Sequence, residues 1–155
     1  MSSYLRGIAD TLATGLDTVT WSIPSTVVER KNWASLDVDA MSVPHIYVIP
    51  GNADVTRVSR QMMQVDYAVN VFVGRHVSTD AEVDGMIDLA DDVMLQVRAH
   101  SFGAGVTWPA GVTSPQTVSI DINPDDALTE RNVWRAVITA TYRVFESNVL
   151  PTPTP

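Results

Sequence analysis

The chain has 155 residues, 45% of them apolar and 18% charged, with 10 Lys and Arg against 18 Asp and Glu for a net charge of −8. That length makes about one domain, which hides roughly 70% of its unfolded surface; the composition argues against wholesale disorder, and the negative balance disfavours adhesion to nucleic-acid backbones or anionic membranes. With no Cys there is no disulfide framework or thiolate chemistry, and with no apolar run near ~18 residues and no basic N-terminal patch, a soluble chain without an export signal is expected.

In chain order, Leu5, Ile8, Leu12, Leu16 and Val19 recur at steps of three and four after Ser2 and Ser3. This spacing predicts a helix that covers a sheet. Pro24 closes it. Thr26 to Trp33 reads as a short strand whose Glu29, Arg30 and Lys31 suit a sheet edge, where charge discourages further pairing. Ala34 to Pro44 is a loop carrying Leu36, Val38 and Met41, and His45 to Ile49 a brief apolar strand stopped by Pro50 and Gly51. Arg57 and Arg60 then fall in a polar loop ahead of the central strand.

That strand runs from about Gln61 to Val73, with Val65, Tyr67, Val69, Val71 and Val73 alternating. After Gly74 to Ser78, Thr79 opens a helix that continues to about His100; Thr79 with Glu82 three residues on is a capping-box pattern. At about 100° per residue, Asp80, Asp84, Asp88, Asp91 and Asp92 share an arc of roughly 120°, opposite Val83, Met86, Ile87, Ala90, Val93, Met94 and Val97. Burying the larger apolar side chains at roughly 1.5–3 kcal/mol each outweighs like-charge costs of about 0.2–0.5 kcal/mol per pair. Packing therefore decides for helix. Ala99 to Gln116 is a long Gly- and Pro-punctuated loop whose Phe102, Val106, Trp108 and Val112 make it a candidate for contacting a partner.

Val118, Ile120 and Ile122 mark a strand, Asn123 to Asn132 a turn region, and Val133 to Phe145 a long final strand. The expected fold is α/β of the α+β kind: a single mixed, mainly antiparallel sheet flanked by two helices, in the order α-β-β-β-α-β-β, forming one globular domain over residues 1–146. Residues 147–155 alternate Pro and Thr without Asp, Glu, Lys or Arg, as in a stiff extended tail.

Catalysis finds no foothold in this pattern. His45, His76 and His100 lack ligand spacing, no Ser sits in a Gly-flanked nucleophile elbow, and Gly103 with Gly105 follows a helix where a dinucleotide loop would precede one. Trp33, Trp108 and Trp134 are assigned to packing. The aspartate ridge climbs a helix, whereas metal-binding carboxylates usually wrap a loop. It is either a solvated face or a field of one sign that meets a partner or lines a channel. Arg57 and Arg60 are either simply solvated or meet carboxylates across an interface, such as the acidic helix of a neighbouring copy. No cofactor is expected.

The N-terminal helix, Pro44 to Pro50, the approach from Arg60 to Val73, the helix Thr79 to Val97, and the ending carry a resemblance. That ending is Pro124-Asp125-Asp126-Ala127-Leu128 followed by Val133 to Arg143, with Thr139, Thr141 and Tyr142. Across about Tyr4 to Phe145 the chain resembles the tail terminator or tail completion proteins of the necks of long-tailed bacteriophages. The resemblance implies a virion protein that forms a hexameric ring on the last ring of tail-tube protein. Such a ring joins the tail to the head-tail connector or stopper and passes DNA through its bore without binding it specifically. Gly103 to Pro115 and the Pro-Thr tail have no counterpart in it. The neighbouring readings are a head-tail stopper or a tail tube subunit, and, from another class, a small α/β enzyme or ligand-binding module. The last would require a pocket with converging polar groups.

Overall fold

A computed structural model describes residues 4–32, 42–103, 105–122 and 132–147. The expectations for residues 33–41, for 123–131 in the turn region, and for the tail beyond Ser147 lie outside them. The elements are α1 (Tyr4–Asp17), β1 (Val27–Arg30), β2 (His45–Arg57), β3 (Met62–His76), α2 (Asp80–Ala99), β4 (Thr117–Ile122) and β5 (Val133–Ser147). Their order is the expected α-β-β-β-α-β-β, and the fold is two helices on a five-stranded mixed sheet.

The sheet order is β1-β2-β3-β5-β4. β1 lies parallel to β2 at one edge, and every other pairing is antiparallel. The strict period of two along β5 explains the layering. Trp134, Ala136, Ile138, Ala140, Tyr142 and Val144 are buried, while Arg135, Val137, Thr139, Thr141 and Arg143 point the other way and are half-buried. Register carries that parity across the sheet, because Val73, Val71 and Val69 stand opposite Ala136, Ile138 and Ala140. Those residues share one core with Ile8, Leu12 and Leu16 of α1 and Met86, Leu89, Val93 and Val97 of α2, so both helices cover the same face. Ala136 and Ala140 let the helices approach, and the larger side chains contribute roughly 1.5–3 kcal/mol each on burial.

The opposite face carries a separate small cluster of Tyr47 and Ile49 with Phe72. Beside it runs a polar row in which Arg143 Nε donates to Asp66 Oδ1 at 2.9 Å and Thr139 Oγ1 donates to Asn70 Oδ1 at 3.0 Å.

Two sequence expectations are corrected here. β2 does not stop at Pro50-Gly51 but continues to Arg57, passing a bulge at which the register shifts between Pro50 and Ala53. Arg57 is consequently the last residue of a strand, and Arg60 lies in the hairpin turn. Ile87 also does not pack inward: it is 41% exposed, while Leu89 takes the buried place.

Candidate functional site

Two surfaces hold the residues that the sequence singled out. The first is the outer face of α2. Thr79 sits in extended backbone (φ −135°, ψ 157°), and its hydroxyl accepts from Glu82 N at 3.2 Å, as the capping pattern requires. The Glu82 carboxylate reaches one residue further back than expected and accepts from Ser78 N at 2.8 Å. At the other end His100 caps in the left-handed region (φ 53°), its N–H donating to Gln96 O. Between these stops Asp80, Asp84, Asp88, Asp91 and Asp92 are all exposed on one side of the helix. None of them takes part in the ion pairs Arg30–Asp10, Lys31–Glu29 or Arg143–Asp66.

The ridge is not purely acidic, because Ile87 (41% exposed) and Leu95 (49%) emerge within it. The signal was available in the sequence: on a 100° wheel Leu95 falls between Asp91 and Asp88, and Ile87 only 20° from Asp80. One flank of the ridge is concave. Ser22 and Ile23, from the segment joining α1 to β1, face Gly85, Asp88, Asp91 and Asp92 across an open groove of about 470 Å³. A Cβ on Gly85 would lie 3.9 Å from Ile23 Cδ1, so this end of the groove has an apolar floor. Among the described residues no group of three His, Cys, Asp or Glu is placed to hold a metal ion.

The second surface is the end of the β2–β3–β5 ribbon. Gly51 to Gln61 are exposed throughout. Val55 faces Val65, and Val65 faces Val144, so the ribbon remains three strands wide as it extends. Its turn is closed by Val58 N and Ser59 N, both donating to Met62 O at 3.1 Å. Val55, Val58, Met62 and Phe145 are exposed there, between 42% and 59%. Arg57 ends β2 on the same side as Val55, and from Val55 to Met62 the chain has Arg57 and Arg60 and no acid. The structure does not bring this tip to α2 of the same chain. It lies at the far end of β3 from the start of α2, a strand of 15 residues and hence roughly 45 Å.

The long loop after α2 folds back onto its own chain. Phe102, Trp108 and Val112 are half-buried against the core. Trp108 lies 4.0 Å from the His100 ring and 5.7 Å from Tyr142, and burial lowers the His100 pKa. Thr11 Oγ1 and Tyr4 Oη donate to Thr107 O and Ala110 O at 3.4 and 3.2 Å. Packing within the chain therefore accounts for the apolar character of Phe102, Trp108 and Val112; Val106 is half-buried beside Asp10, Thr11 and Thr14. His45 Nδ1 lies 2.8 Å from Val43 O and His76 is exposed on β3, so the histidines do not converge.

No protein-family model matches the chain, and no curated protein matches it. Among solved structures the chain is similar to one described as "Virion of native gene transfer agent (GTA) particle", at 13% identity and a TM-score of 0.42, over 87% of this chain and 84% of that one.

Proposed function

We propose that this chain is a structural virion protein, a phage tail terminator that forms a ring, caps the tail tube and joins the tail to the head connector. Copies of the chain, a tube protein below and a connector or stopper protein above are its partners. DNA passes through the bore without being specifically bound, and the ring is assembled in the host cytoplasm. The folded domain runs to Ser147, which ends β5 opposite Met62 one residue past the expected boundary of 146, leaving 148–155 as a tail.

The observation that carries this reading is the projecting three-stranded ribbon. Its exposed Val55, Val58, Met62 and Phe145 extend apolar surface beyond the helix-covered core, and such surface marks contact with other protein. The acidic ridge of α2 supports it as either a bore lining or an interface, because a surface poor in Lys and Arg does not retain a sliding polyanion. Among the described residues no nucleophile, base and oxyanion donors converge, which supports assembly over catalysis.

The test is gold-labelled antibody against the chain on purified tailed particles. A single label at the head-proximal end of the tail is expected. Label along the whole tail would make it a tube subunit, label on the head vertex of tailless particles a stopper, and particles lacking the polypeptide would overturn the virion reading.

A further inference from the structure

The two surfaces are complementary in charge and in apolar content, and one chain carries both. The α2 groove has Asp88, Asp91 and Asp92 on its rim with Leu95 beside them. The ribbon tip has Arg57 with Val55 and Val58, and no acid from Val55 to Met62. The tip is not among the residues that line the groove of its own molecule, and a ribbon held in register between β2, β3 and β5 cannot fold back to reach it. We propose that it enters the groove of a second copy, with Arg57 among Asp88, Asp91 and Asp92 and the tip valines against Leu95. This rests on the reading of the chain as a ring-forming subunit and names the contact that builds the ring.

Chemistry favours a second copy over an unrelated basic partner. Exposed apolar side chains stand at both places, where a solvated acidic helix would need none and a purely electrostatic contact would use none. A guanidinium also suits a site offering several carboxylates, because its planar fork donates to two oxygens at once. Tip and groove are different patches, so the contact is heterologous: it propagates head to tail and closes into a ring when the rotation between copies allows.

A charge-swap mixture tests it. Arg57→Glu places an acid at the tip; Asp88→Arg with Asp92→Arg places bases in the groove. Each variant alone sets like charges against each other, and its self-association should weaken by about tenfold or more, read by native mass spectrometry and sedimentation of the full chain. Mixed in equal amounts, the Glu tip meets the Arg groove and the untouched Arg57 meets the untouched aspartates. Assembly should then return with the two variants in alternation, at equal stoichiometry. Circular dichroism on each variant confirms that the fold is retained, and recovery in the mixture cannot come from misfolded chains. Variants that assemble as well as the unaltered chain, or a mixture that stays monomeric, overturn the tip-in-groove contact while leaving a ring of other geometry standing. An unaltered chain that remains monomeric at all concentrations overturns the ring itself.

Discussion

Arg143 and Asp66 form a two-pronged pair on the uncovered face of the sheet, Nε to Oδ1 at 2.9 Å and a second nitrogen to Oδ2 at 3.3 Å. The hydrogen bond from Arg143 leads in holding the Asp66 carboxyl below its ordinary 3.8, against partial burial, which pushes it up. The unfolded carboxyl takes its proton at a higher pH than the folded one, so the pair's stabilisation is complete above the ordinary value and is lost as pH falls through the lowered one. Asp66→Asn should therefore lower the melting temperature at neutral pH. The gap from the unaltered protein should narrow steadily below about pH 4, and thermal melts over that range measure it. Gly15 sets two effects against each other. Alanine is the better helix former by about 1 kcal/mol, yet a Cβ there would stand 2.5 Å from the Phe102 ring, well inside contact distance. Displacing that ring disturbs its stacking on Trp108 at 6.2 Å, and overpacking of this kind costs typically 1–3 kcal/mol. Packing should win on balance: Gly15→Ala should be destabilised by up to about 2 kcal/mol in urea titration, and a gain in stability would show that the loop does not sit against α1.

At the scale of the element, α2 was legible because its signals agree: a capping residue, a period of 3.6 and a long apolar stripe. Thr79→Ala removes the hydroxyl that accepts from Glu82 N and should cost about 1 kcal/mol in denaturant titration. A loss below a few tenths would mean that the Glu82 contact to Ser78 N already holds the helix start by itself. β2 was misread for a reason that can be stated in residues. Proline followed by glycine ordinarily ends a strand, because proline cannot donate to a ladder. Here Lys31 N donates to Val48 O, so Val48 directs its backbone groups toward β1. Pro50 has the same parity as Val48 and lies past the end of β1, where none of the described strands pairs with that side and a missing donor is tolerated. Gly51 then lets the backbone close on β3, since a Cβ would stand 2.7 Å from Ala68 O. The dipeptide that reads as a stop builds a bulge instead, and the bulge resets parity: before it the even-numbered Ile46 and Val48 stand opposite Val73 and Val71, and beyond it the odd-numbered Val55 and Arg57 stand opposite Val65 and Met63 on that same side. Ile87 was misplaced for a simpler reason. An apolar residue at the margin of a helical stripe is assigned to the core by periodicity, and only the neighbouring layer decides whether core exists at that angle. The seven-element order was readable because each element carries its own period, and the opposite charges of Arg57 and the acidic helix were readable too; the apolar side chains exposed beside them, Val55, Val58 and Leu95, were not, since exposure depends on which residues stay uncovered.

For the molecule as a whole, the excess of eight negative charges decides how it behaves near DNA. Non-specific affinity comes almost entirely from Lys and Arg neutralising phosphates and releasing counterions, and it reaches dissociation constants of roughly 10⁻⁴ to 10⁻⁶ M in proteins built for it. This chain has ten such residues in all. Three of those, Arg30, Lys31 and Arg143, already face carboxylates at 2.9 to 3.3 Å. A ring built through Arg57 would occupy a further base per copy and leave the bore with still fewer. The purified chain should accordingly leave duplex DNA unretarded in a gel at about 10 µM protein, even at low salt, where such binding is strongest. Each Asp→Lys exchange adds two positive charges, so changing Asp84, Asp88, Asp91 and Asp92 together brings the net charge to about zero and gathers four bases on one helix face. That variant should retard DNA, and the retardation should disappear as salt is raised. Retardation by the unaltered chain would place a basic track somewhere on its surface and would rule out a bore through which DNA slides without holding.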